Sequence, residues 1–131
     1  MRVFSIFVIV ALLLTVAPRP AAAEVGDVVL GGILVLRIRA HAGGLSLAER
    51  AAIVEQRITE ALSRGPLAPE TVVVRQVNGQ STIFVGNILI ITVDVNHANL
   101  NGTTSLLLAE LWARNLRSAL PQALPVGGPN V

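Results

Sequence analysis

At 131 residues, with two histidines and no cysteine, the chain cannot build disulfides, thiol nucleophiles or thiolate metal sites. Its formal charge of +2 comes from ten arginines against eight acidic residues, with no lysine and only 3% aromatic residues. Nucleic-acid binding is not expected, because it calls for aromatic platforms interleaved with clustered positive charge.

The first 23 residues carry the order of an export signal: Arg2, an apolar run over residues 3–17, Pro18 and Pro20, then Ala21-Ala22-Ala23. The run of about 15 residues falls short of the roughly 20 that span a bilayer. Residues 1–23 are therefore read as a secretory signal peptide cut before Glu24, and the expected location is periplasmic or secreted. Loss of Arg2 and Arg19 leaves eight arginines and eight acids, a net charge of zero, so little repulsion opposes association. Residues 24–125 form one domain, long enough for a single core, and 126–131 a flexible tail.

Residues 24–32 suggest a first strand through Val25, Val28, Val29 and Leu30, closed by a bend at Gly31-Gly32. Residues 33–41 alternate as a second strand, with Leu34, Leu36, Ile38 and Ala40 on one side and Arg37, Arg39 and His41 on the other. Ser46 and Glu49 then form a capping box, and Leu47, Ala51, Val54, Ile58, Ala61 and Leu62 recur at helical spacing. Arg50, Arg57 and Arg64, seven residues apart, read as a solvated positive stripe, and Gly65-Pro66 ends the helix. Residues 71–77, 80–85 and 88–95 are β-rich and separated by the tight-turn pairs Asn78-Gly79 and Gly86-Asn87. Two-residue loops place Val77 opposite Gln80 and Val85 opposite Ile88. A polar connector over 96–101 leads to a last helix beginning near Thr103 or Thr104, with Ala109, Trp112, Ala113, Leu116 and Leu120 buried and Pro121 as its end. The fold class is α+β: two helices packed on a largely antiparallel sheet of about five strands, in the order β-β-α-β-β-β-α.

Counting the register gives two apolar sheet faces. Val73, Val77, Phe84, Leu89, Ile91, Val93 and Val95 share one, expected to meet the helices. Val72, Val74, Ile83, Val85, Ile88 and Ile90 share the other. Burying such side chains is worth roughly 1.5–3 kcal/mol each, so this second face must be covered by a partner, a second copy or the N-terminal strand region.

Asp94, Asn96, His97, Asn99 and Asn101 form the one cluster of polar ligands, and their oxygens suit a hard cation such as calcium. Aligning Gly102 with the glycine of an EF-hand loop puts His97 at the first anchoring position and Leu108 at the last, so the match fails at both charges. Such residues are also ordinary connector chemistry. Two histidines without cysteine make a poor zinc set. Arg37, Arg39 and His41, with Arg75, could hold an anion or lipid headgroup, but arginines at alternate strand positions more often mark a wet face or an edge. No Gly-x-Ser-x-Gly elbow and no phosphate loop is present, so neither catalysis nor a cofactor is expected.

Gly44-Leu45-Ser46-Leu47-Ala48-Glu49-Arg50-Ala51, Ile88-Leu89-Ile90-Ile91-Thr92-Val93-Asp94 and Leu108-Ala109-Glu110-Leu111-Trp112-Ala113, with the order of elements, resemble the extracytoplasmic N-terminal domain preceding the pore in some bacterial MscS-type mechanosensitive channels. Those channels continue into transmembrane helices, which residues 24–131 lack, so the resemblance implies a free-standing accessory domain with no catalytic residues to carry over. The leading expectation is a non-catalytic exported accessory or interaction domain at the cell envelope. It would act by self-association or through a protein partner, with an envelope membrane protein among the candidates. The competing expectation is a small-ligand or metal-binding protein using the Asp94–Asn101 connector.

Overall fold

The computed structural model describes residues 24–65 and 67–123, so the leader and the 126–131 tail lie outside the described residues. The domain is α+β, but its five strands are divided between two antiparallel sheets instead of forming one. Strands β1 (Asp27–Leu30) and β2 (Ile33–Arg37) make a hairpin, and β3 (Val72–Val77), β4 (Gln80–Val85) and β5 (Ile88–Val93) make a meander. Among the described residues three α-helices complete it: α1 (Leu47–Ser63), α2 (Val95–Leu100) and α3 (Ser105–Ala123). Helix α2 occupies the connector expected to be a loop, and α3 runs two residues past Pro121. Among the described residues no helix is long and apolar enough to cross a membrane.

Local chemistry accounts for the ends of the elements. The Glu49 amide donates to Ser46 Oγ at 3.1 Å and the Ser46 amide to Glu49 Oε1 at 2.8 Å, closing the capping box that opens α1. Thr104 opens α3, its Oγ1 accepting from the Leu107 amide at 3.2 Å. Asn78 at φ 53° and Gly79 at φ 76° take the left-handed pair that a two-residue hairpin of matching twist requires.

The β3–β4 register agrees with the count, from Val77 opposite Gln80 to Val72 opposite Val85. Between β4 and β5 the pairing slips by one residue: Phe84 faces Leu89, but Ile83 faces Ile91, leaving Ile90 as a bulge. One extra residue turns every later side chain to the opposite face. Ile91 and Val93 consequently join Ile83 and Val85, not Phe84. A similar slip in the first hairpin pairs Val29 with Leu34 and Val28 with Leu36, so Leu34 is exposed while Val35 and Leu36 are both buried.

Helix α3 seats Trp112, Leu116, Ala119 and Leu120 in the core between the two sheets. Val72, Ile83, Val85 and Ile90 are buried there, and Val74 and Ile88 are half-buried against the same cluster. The face expected to be an interaction surface is therefore internal, covered by the chain's own last helix. The face expected to meet the helices is the outer one: Val77 is exposed, and Phe84 is half-buried beneath the Arg75 guanidinium, 5.2 Å from its ring centroid.

Candidate functional site

Helix α1 packs against β5 of one sheet and β1 of the other. Because β5 is an edge of the meander, its outer backbone groups face α1 rather than another strand. Beside this contact lies a cleft of about 310 Å³, lined by Leu45, Arg50, Ile53, Val54 and Arg57 on the α1 side and Leu89, Ile91 and Thr92 on β5. Five of these eight residues are aliphatic, and Arg50, Arg57 and Thr92 are polar.

Both arginines are half-buried and held by main-chain carbonyls. Arg50 Nη1 donates to the Ala40 carbonyl at 2.6 Å, and Arg57 Nη1 donates to the carbonyl of the bulged Ile90 at 3.3 Å. Among the described residues neither has a carboxylate within 4.0 Å. Arg64, the third member of the spacing, is exposed and paired with Glu60 at 2.9 Å. The stripe read as solvated thus divides: one arginine meets solvent, and two line a cleft where charge is only partly hydrated.

His97 supports this site from behind. It has no exposed surface, meets Trp112 edge-on at 5.6 Å, and places Nε2 3.5 Å from Arg50 Nη1. A guanidinium can only donate, so Nε2 carries the lone pair and Nδ1 the proton. Nδ1 has no hydrogen-bond partner; Asp94 Oδ1 stands 3.7 Å away. Burial, then the Arg50 charge, push the imidazole pKa below its ordinary 6.5, against the opposing pull of Asp94.

The connector residues are placed by helix formation. Asp94 caps α2, accepting the His97 amide at 2.9 Å, and Asn101 Nδ2 donates to the His97 carbonyl at 2.8 Å. Asn96, Asn99 and Asn101 are exposed, whereas His97 points into the core. The five do not surround one point, and no group of three or more His, Asp or Glu among the described residues could hold a metal ion. Arg37 is bound to Asp27 at 2.5 Å and lies near Glu24, while Arg75 belongs to the other sheet, so the arginines considered for an anion face are not gathered. The chemically distinctive side chains are Arg50, Arg57 and His97. The seven-residue spacing of the two arginines was visible in the sequence, but not which side of α1 they occupy.

A family model described as "Domain of unknown function (DUF8459)" matches residues 27–123. No curated protein and no solved structure matches the chain.

Proposed function

The chain belongs to the DUF8459 family, through a match running from β1 to the end of α3, and we propose that it is a non-catalytic binding domain that takes up a small organic anion in the cleft between α1 and β5. The observation that carries this reading is the pair Arg50 and Arg57. Two half-buried guanidinium groups without carboxylate partners keep a desolvation cost that a bound anion would offset. Aliphatic neighbours Ile53, Val54, Leu89 and Ile91 favour a ligand with an apolar body over a bare inorganic ion. The cleft lies at the low end of the roughly 300–1,000 Å³ typical of small-molecule sites, which suits a ligand of modest size.

An extracytoplasmic setting belongs to the same proposal. It rests on the leader at residues 1–23 and on the likeness to channel-associated envelope domains. Such a domain would serve as a receptor or accessory subunit, with binding as its output.

The test is a thermal-unfolding series of the chain with hexanoate and, as the uncharged control, hexanamide. A ligand that binds only the folded state at ten times its Kd stabilises by about 1.4 kcal/mol, which raises Tm by several degrees in a domain of this size. Hexanoate should raise Tm, hexanamide should not, and Arg57→Gln should reduce the rise. No rise with hexanoate, or an equal rise for both compounds, would remove the anion site.

A further inference from the structure

Resting on the cleft reading above, we propose that the ligand is a linear dicarboxylate, with one carboxylate at Arg50, one at Arg57 and an aliphatic chain between them. Residues seven apart return to nearly the same face of a helix, two turns on, and their backbones are separated by about 10.5 Å along the axis. The cleft therefore has a cationic group towards each end of its α1 wall, with Ile53 and Val54 in sequence between them and Leu89 and Ile91 across from them. A ligand charged at one end would balance one guanidinium and leave the other as it stands.

The anchoring of the arginines favours carboxylate at both positions. Each guanidinium has a nitrogen donating to a main-chain carbonyl, Arg50 to Ala40 and Arg57 to Ile90, which restrains its position and leaves other N–H groups to donate. A planar fork matches a planar carboxylate in a two-point contact. Charge balance points the same way: one guanidinium at each end matches one negative charge, whereas a phosphate end brings close to two. His97 adds no positive charge while it remains neutral beside Arg50, and the Thr92 hydroxyl offers a further polar contact along the wall.

The experiment is calorimetric titration of the full chain with linear dicarboxylates from butanedioate to decanedioate, each compared with the monocarboxylate of equal carbon number. Affinity should peak at one dicarboxylate length and there exceed the matched monocarboxylate by about tenfold or more, as a second charge-assisted contact implies. Arg57→Gln should cancel that advantage, bringing the variant's affinities for the dicarboxylate and its matched monocarboxylate within about threefold of each other, since Arg50 can still hold a single carboxylate. Far-ultraviolet circular dichroism and a cooperative thermal transition without ligand would verify that the variant is folded. Equal affinity for mono- and dicarboxylates of one length would overturn the two-ended ligand while leaving the anion site standing. Absence of binding by every member of both series would overturn both.

Discussion

His97 sits at the meeting point of three helices' chemistry: its own in α2, Arg50 from α1 and Trp112 from α3. A buried imidazole with a lowered pKa gives a stability whose sign can be worked out. As pH falls through 6.5 the unfolded chain takes up a proton that folded His97 resists, so stability declines until the folded pKa is reached. The carboxylates act in a lower window. Asp27, hydrogen-bonded by Arg37, and Glu49, bonded by the Ser46 amide, lie below their ordinary 3.8 and 4.5, and what they contribute is lost only as pH falls past those values. Urea midpoints at pH 7.5, 6.5 and 5.5 should therefore fall steadily for the wild type. His97→Phe keeps a ring against Trp112 and should flatten the series. An unchanged slope in His97→Phe would mean that another group supplies it. The sequence could place His97 only in a polar connector, because its burial depends on packing against Trp112 of α3 and on α1, whose Arg50 is 47 residues away.

At the scale of elements, the tight turns and the capping box of α1 were legible, whereas the Asp94 cap of α2 and the bulges were not. Ser46 with Glu49 and Asn78 with Gly79 act through bonds within a few residues, so local sequence carries their full information. A bulge reveals itself only by breaking alternation, and Ile88-Leu89-Ile90-Ile91 is apolar at every position, so there is no alternation to break. Ile33-Leu34-Val35-Leu36 conceals the slip in β2 for the same reason. The bulge carries Ile91 and Val93 onto the face of Ile83 and Val85, and which face of the meander lies inside can be tested by placing a charge on each. Ile90 has no exposed surface, so Ile90→Arg should cost several kcal/mol and leave the chain unfolded or close to it. Val77, on the outer face and 38% exposed, should accept Arg within about 0.5 kcal/mol. Urea unfolding of the two variants separates the faces. A folded Ile90→Arg beside an unfolded Val77→Arg would instead put the Phe84 face of the meander inside.

On the scale of the whole molecule, no strand hydrogen bond joins the two sheets among the described residues, and helices α1 and α3 each touch both. Asn115 of α3 donates to the carbonyl of Val35 in β2 at 3.0 Å, and two residues later Arg117 donates through Nε and Nη2 to the carbonyl of Val72 in β3 at 3.2 and 2.8 Å. Loss of β4 would separate β3 from β5 and strip the floor beneath Trp112 and Leu116. Loss of the β1–β2 hairpin would leave α3 seated on an intact meander. A two-stranded hairpin is marginal by itself, so the hairpin should open at a lower free energy than the rest. Native-state hydrogen exchange across a low-urea series should show this directly. Amides in the β1–β2 pairing should exchange with lower free energy and a smaller urea dependence, and those of β4 only with global unfolding. Asn115→Leu leaves the Val35 carbonyl without its donor, at a cost of about 1–3 kcal/mol. Because that bond is absent in both the hairpin-open and the fully unfolded states, the substitution should lower both opening free energies by the same amount and preserve the gap between them. A single free energy and a single urea slope for both sheets would instead mean that the buried contacts of α1 and α3 make the whole domain open as one unit.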